Sequence, residues 1–412
     1  MQGRHKVFLV VGLVFLAVSG WQHHVRRGQT NGPVGPPEIE VWHGDSQRVG
    51  HLGDAQDDFN LLGNLVDAES FEKLVVMLND VPLMPLTIAE GSTGFRRLAR
   101  PGHFNADIPV SLLRRGTNNI VLRGIDSEGR VLSHEVTLAY EEGSCPLPFQ
   151  VAWSQTSDPQ AVGQYVDGEW ALQNGGLRTC HTGYDRIFLL GNRSWQDYEV
   201  TTSITVHKVT DSTGPLHGGN GVGLIMRFAG HVSGGHRNFR EDQPKWGYQP
   251  FGAIGWLRWR KDWTWLAPRL EYYAGDSDAS ERFGSYGIKA GRTYRLKMAC
   301  QTLPDGPNGE GVTRYSFKVW PDSQPEPKAW QWEKVQTSLH ALRQGGVGLL
   351  AHHVDVTFGD VTVTPLKAPN AHRFDHFASD TPADAESVHA SPHPTEDPFQ
   401  AAPEPQPSQT SQ

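Results

Sequence analysis

The sequence predicts an all-β protein built from two successive sandwiches, and three observations carry that prediction. Composition is the first: 45 Gly, 28 Pro and 13 Trp against only 5 Met suit short strands joined by turns better than long helices. Patterning is the second. Apolar runs are short and alternate with polar residues at a period of two, as where Val136, Leu138 and Tyr140 alternate with Glu135, Thr137 and Ala139. The third is a break at Glu141-Glu142-Gly143-Ser144, flanked by Pro146 and Pro148. It divides the 412 residues into segments each long enough for its own core.

Taken in order, the chain opens with Arg4 and Lys6, an uncharged apolar run from Val7 to Ala17, and then Val18-Ser19-Gly20. These are the charged, apolar and small-residue regions of a secretory signal. The run is shorter than the roughly 20 apolar residues of a membrane helix, while Arg26-Arg27 beyond it leaves an uncleaved N-terminal anchor open. Residues 1–20 are therefore expected to act as a signal peptide or membrane anchor, followed by a polar linker over 21–36. The protein is expected to be extracytoplasmic, either secreted or held to a membrane through this N-terminal segment alone. A formal charge of -8, from 37 Lys+Arg against 45 Asp+Glu, gives no basic footprint for nucleic acid. Cys145, Cys180 and Cys300 lack CxxC spacing, so neither a zinc site nor a disulfide-dense scaffold is indicated. One bridge plus one free thiol would suit an oxidising compartment, with the pair left open.

Residues 37–141 read as short strands and turns, for example Leu74–Leu78 before Asn79-Asp80, and Asn119–Leu122 before Asp126-Ser127-Glu128-Gly129. The run through Asn79, Arg97-Leu98-Ala99, Gly102-His103-Phe104-Asn105, Leu113-Arg114-Arg115-Gly116-Thr117-Asn118, Asp126, Gly129 and Tyr140 resembles bacterial immunoglobulin-like modules of exported proteins. In those modules an L-x-x-G-x-N turn starts a hairpin and the last strand ends at an aromatic residue. The resemblance implies a spacer or docking role rather than catalysis.

Residues 145–366 carry a long alternating strand at Tyr198–Val206 and a continuous apolar one at Val222–Phe228. Further strands are expected at Thr293–Met298, Tyr315–Trp320, Val347–Ala351 and Val354–Val363, giving two antiparallel sheets packed face to face. The string Gly168-Glu169-Trp170, Trp195-Gln196-Asp197-Tyr198-Glu199-Val200, Gly221–Phe228, Gly346-Val347-Gly348-Leu349, His352 and Val356–Leu366 resembles the concanavalin A-like jelly rolls. It is similar above all to laminin-G-like domains and bacterial 3-keto-disaccharide hydrolases. The resemblance implies an immunoglobulin-like sandwich followed by a concanavalin-like jelly-roll sandwich, and it bears on fold more than on activity. Beyond residue 366 the chain turns to Pro, Ala, Ser, His and acidic residues with few aliphatics, so 367–412 is expected to be a disordered tail.

Chemistry is sparser. Glucanases of the resembling superfamily carry an E-x-D-x-x-E strand that sets two carboxylates about 5–5.5 Å apart, and this chain has no such string. Asp197 and Glu199 stand at i, i+2, the minimal geometry for a catalytic carboxylate pair, although a solvated strand start explains them more simply. Asp276, Asp278 and Glu281 could give oxygen ligands to calcium, a metal common in resembling jelly rolls, or could form an ordinary acidic turn. His217, His231 and His236 lie in a Gly-rich stretch without metal-site spacing. The segment from Trp246 to Tyr273 is the richest. Trp246, Trp256, Trp259, Trp263 and Trp265 are interleaved with Arg258 and Arg260, a composition in which rings stack on pyranose faces while charged groups bond hydroxyls or carboxylates. Some of these rings are expected to be core and at least two exposed. The leading expectation is a non-catalytic protein that binds a polysaccharide or glycoconjugate without a cofactor. A glycan-active hydrolase and a structural envelope protein are the alternatives.

Overall fold

The computed structural model describes residues 37–89, 97–210, 219–231, 244–245, 250–260, 267–277 and 279–366. The expected signal or anchor, the linker and the tail lie outside the described residues. Among those that are described, no helix is long and apolar enough to cross a membrane. The protein is all-β, with two sandwiches.

In the first sandwich, β1 (Glu38–Val41), β3 (Asp58–Val66) and β6 (His103–Pro109) form an antiparallel three-stranded sheet. The facing sheet has five strands in the order β2 (Ser46–Val49), β8 (Val131–Tyr140), β7 (Gly116–Asp126), β4 (Phe71–Leu78) and β5 (Val81–Leu86), with β2 parallel to β8. Alternation places Phe59, Leu61, Phe104 and Ile108 of one sheet against Leu74, Val76, Ile120, Leu122, Val136 and Leu138 of the other. Asn118 builds the turn before β7: its amide donates to the Arg114 carbonyl at 2.7 Å and accepts from the Arg114 N–H at 2.8 Å.

The second sandwich pairs a seven-stranded sheet with a nine-stranded one. The first runs β10 (Gln164–Asp167), β13 (Arg186–Leu190), β22 (Gly346–His352), β15 (Asn220–Phe228), β16 (Ala253–Trp259), β17 (Arg269–Ala274) and β18 (Ser280–Ser285). The other follows the path β11 (Trp170–Gln173), β12 (Gly176–Thr179), β23 (Val354–Phe358), β14 (Tyr198–Val209), β19 (Thr293–Leu303), β20 (Gly311–Pro321) and β21 (Trp332–Ser338). Two further strands, β9 (Phe149–Val151) and β24 (Val361–Pro365), lengthen this sheet beside β14. Between the sheets lies the main core, with Phe188, Leu224, Leu257 and Leu349 facing Val200, Ile204, Met298, Phe317 and Val356.

Two expectations need correction. The stretch Val354–Val363 is two strands rather than one: the Gly359 carbonyl accepts the Trp153 indole N–H at 2.8 Å, and the Asp360 carboxylate accepts the Trp153 backbone N–H at 2.9 Å, so the chain turns there. No disulfide forms either; all three cysteines are free thiols, two of them buried.

Strands β3 and β6 have a second buried face. Their even and odd positions divide between the apolar core and a polar set, Asp58, Asn60, His103, Asn105 and Asp107, each 4% exposed or less. That polar set packs on the second sandwich beside β10, where the Gln164 amide donates to the Asp58 carbonyl at 2.9 Å.

Candidate functional site

The face of the seven-stranded sheet that points away from the main core is mostly apolar, with Ile187, Leu189, Ile225, Ile254, Trp256 and Leu350 clustered on it. Across one end of this face runs a row of charged side chains. Register places Asp185, one residue before β13, opposite His352 of β22; His352 pairs with Gly221 of β15, Gly221 with Arg258 of β16, and Arg258 with Arg269 of β17. One step along the strands the adjoining row is Leu350, Gly223, Trp256, Glu271 and Arg282. Because the side-chain period of a strand is two, all of these project to the same face.

The contacts bind the two rows together. His352 Nδ1 and Asp185 Oδ1 are 2.7 Å apart, and the imidazole is walled edge-on by Tyr184 at 4.7 Å and Trp256 at 6.1 Å. The Arg258 guanidinium lies 4.0 Å over the Trp256 ring, a cation–π contact. The Trp256 indole N–H donates to Glu271 at 3.3 Å, and Arg260 and Arg282 approach the same carboxylate at 3.8 Å. Glu271 is fully buried, whereas the Arg260 and Arg282 side chains are 31% and 38% exposed and give this end of the sheet its accessible side.

Backbone and charge are both unusual here. Asp185 and His353 adopt φ values of 47° and 53°, left-handed conformations that ordinary residues hold only when their surroundings enforce them. The His353 N–H donates to the Gly183 carbonyl at 2.8 Å and ties the chain entering β13 to the chain leaving β22. Burial pushes the Asp185 carboxyl up to about 7, with Asp167 adding to the rise and Arg258, His353 and Arg186 opposing it. Its Oδ2 is buried without a hydrogen-bond partner among the described residues.

Glycines make room for the indole and guanidinium. A Cβ on Gly221 would stand 2.6 Å from the Trp256 ring and 3.1 Å from Arg258 Nη1; one on Gly223 would stand 2.4 Å from the Trp256 Cβ. Gly221→Ala should therefore displace both side chains, costing about 1–3 kcal/mol by overpacking and changing the near-ultraviolet circular dichroism of the indole. Urea unfolding together with that spectrum checks it.

Beside the row lies a buried ionic cluster that joins the two sandwiches. Arg97 donates two bonds to Asp107 at 2.7 and 2.9 Å and one from Nε to Asp167 at 2.7 Å, with all three side chains 3% exposed or less. The other Asp167 oxygen lies 2.7 Å from His231 Nε2, Asn60 donates to Asp107 at 2.6 Å, and Lys245 reaches Asp58 at 2.7 Å. Asp167 is held below the usual carboxylate range: burial works against this, and Arg97 and His231 more than offset it.

The residues singled out from the sequence fare unevenly. Trp256 and Trp259 are 3% and 5% exposed, which corrects the expectation of them as open stacking rings. Alternation turns Trp259 into the main core, and Trp256 is covered on the outer face by Arg258 and His352. Arg258 is also buried, and Arg260 stands at the rim. Trp246, Trp263 and Trp265 lie outside the described residues. Asp197 and Glu199 are drawn into separate ion pairs, with Arg227 at 3.0 Å and Lys297 at 3.2 Å, so they do not face each other as a catalytic pair. Asp276 accepts from the Ser277 hydroxyl, Glu281 pairs with Lys334, and Asp278 lies outside the described residues. No group of three or more His, Cys, Asp or Glu among the described residues is placed to hold a metal. His231 joins the ionic cluster, while His217 and His236 lie outside the described residues.

Sequence reading missed Asp185 and Glu271 as members of the row. Glu271, a lone carboxylate between Leu270 and Tyr272, was the available signal, as was the His352-His353 pair closing an apolar strand.

No family model matches this chain, and no curated protein matches it. Among solved structures it is similar to the exoplasmic/lumenal domain of VIP36 in its Ca2+/Man3GlcNAc-bound form, at 11% identity and a TM-score of 0.33 over 52% of this chain and 88% of that one. It is also similar to a Bacillus subtilis protein with a galectin-like fold, at 12% identity and a TM-score of 0.30 over 52% of this chain and 94% of the other.

Proposed function

We propose that this is a glycan-binding protein that receives a polysaccharide or glycoconjugate at the charged end of the seven-stranded sheet. One observation carries the reading: adjacent strands present carboxylate, imidazole, guanidinium and indole groups on one face, around two glycines. Sugar hydroxyls bond strongly to charged donors and acceptors, here the rim arginines backed by the buried row, and the C–H face of a pyranose stacks on aromatic rings, here the half-buried Tyr184 and Tyr273 in place of the covered Trp256. The half-buried Tyr184, Tyr273 and His353 and the more open Arg260 and Arg282 form the side from which a sugar would enter. Export through residues 1–20, with secretion or anchoring there, belongs to the same proposal, as does an immunoglobulin-like character for the first sandwich.

Two-carboxylate hydrolysis is the less favoured reading. Asp185 and Glu271 are separated by four strand spacings of about 4.8 Å, or roughly 19 Å of backbone. Retaining and inverting glycosidases need carboxyl separations of about 5–5.5 and 6.5–9.5 Å. The spacing therefore favours holding a glycan over cleaving one.

A glycan array probed with the purified protein tests the proposal, run with and without calcium to decide whether the acidic turn at Asp276 takes part. Changing Arg260 and Arg282 together to Gln should weaken any hit about tenfold, equivalent to about 1.4 kcal/mol, and flatten its salt dependence, with Glu271→Gln added so that no buried carboxylate is left without its cations and urea unfolding run alongside. Failure of every glycan to bind would move the structural envelope reading to first place.

A further inference from the structure

We propose that the first sandwich is a working part of the glycan site, holding the turn at residues 183–186 that presents Asp185 to His352, and is not a spacer ahead of it. The inference rests on the glycan reading of the charged row and adds to it the element that positions the row.

The chain of contacts is continuous and buried. Asp107 belongs to β6 of the first sandwich and grips Arg97 through two hydrogen bonds. The Arg97 main-chain carbonyl accepts from Arg186 Nη2 at 2.8 Å, and the same nitrogen donates to the Tyr184 carbonyl at 2.5 Å. One guanidinium, 1% exposed, thus ties the first sandwich to the residue preceding Asp185. Its side chain also lies over Gly168 and Gly183, where an added Cβ would meet it at 2.3 and 3.2 Å. Asp185 sits between Tyr184 and Arg186 in a left-handed conformation, and the turn is closed from the other side by His353 N–H on the Gly183 carbonyl. A strained residue persists only where its neighbours fix it, and here one of the fixing atoms belongs to the other sandwich. A spacer joined by surface contacts would leave this turn to the jelly roll alone.

Arg186→Gln removes the bridge but leaves the Arg97 ion pairs in place, and Asp107→Asn loosens Arg97 from a position that touches nothing in the row. Arg115→Gln, which breaks an exposed pair with Glu142 at the end of the same sandwich, serves as the control. Hydrogen exchange of the full protein should accelerate about tenfold at amides 183–187 and 353 in the first two variants and stay at the parental rate in the control. Affinity for whichever of mannan, laminarin or polygalacturonate the parent binds should fall about tenfold in parallel. Parental exchange at those amides in Arg186→Gln overturns the proposal, and so does accelerated exchange with unchanged affinity, which would mark a joint without a positioning role. If Asp107→Asn fails to fold, Arg186→Gln decides alone. A parent that binds none of the three glycans counts against the glycan reading, while the exchange measurement still decides whether the sandwich holds the turn.

Discussion

Arg97→Met should cost about 3–5 kcal/mol of folding stability, the range for breaking a buried ion pair by removing one partner. The reason lies in what is left behind. Asp107 and Asp167 are fully buried, and Arg97 supplies each with a charge-assisted hydrogen bond. Without it, Asp107 keeps Asn60 and the Lys245 backbone N–H, and Asp167 keeps Asn105 and His231. Those groups solvate the carboxylates but leave the cluster one cation short. Arg97→Lys should recover only part of the loss, because a single ammonium cannot span both carboxylates as the guanidinium fork does. Adding Asp107→Asn and Asp167→Asn to Arg97→Met should recover most of it by removing the stranded charges. Urea unfolding of the four proteins is the measurement, and a single-variant loss below about 1 kcal/mol would mean that water reaches these carboxylates.

The strands that were legible from the chain, such as β8 and β14, have one face on an apolar core, and that is what alternation records. Val136 and Leu138 read correctly, as did Tyr198–Val206 and Val222–Phe228. The second face of β3 and β6 was not legible. Asn60, Asn105 and Asp107 occupy the polar half of an alternating strand, and nothing local distinguishes a polar residue facing water from one facing another sandwich. The indoles failed for a related reason. Trp256 and Trp259 are three residues apart on β16, so they point to opposite faces, and a ring count cannot say which face is covered. Asp185 and His352 are 167 residues apart and meet only through the antiparallel register of β13 and β22. Pairing of that kind is a property of the sheet, which a single sequence does not carry. Where a rule of local composition was broken, the signal was present: a carboxylate inside the buried strand Leu270-Glu271-Tyr272 has to be matched by something, and Arg260, Arg282 and Trp256 match it.

Two buried groups should give the protein pH responses of opposite sign. His103, between Trp42 and His181 where the sandwiches meet, has its imidazole pushed down to about 3 by burial, with Arg186, His181 and Arg100 lowering it further. An unfolded histidine titrates near 6.5, so below that pH the unfolded chain binds a proton that the folded protein refuses. The stabilisation from keeping His103 neutral is thus fully present above about pH 6.5 and is lost at about 1.4 kcal/mol per unit as the pH falls toward 3. Asp185 works the other way. Its folded carboxyl titrates at about 7 and its unfolded one near 3.9, so between those values the folded protein holds the extra proton, and stability falls at a similar slope as the pH rises from about 4 to 7. Replacing each group by a neutral amide separates the two effects. Relative to the parent, His103→Gln should flatten the rise of stability between pH 4 and 6.5 by about one proton's slope, while Asp185→Asn should steepen it by about the same amount. Urea midpoints at half-unit steps from pH 4 to 7.5 read both slopes. Parallel curves for Asp185→Asn and the parent would mean that this carboxyl ionises in the folded protein as it does in water, and that the Asp185–His352 pair is open to solvent.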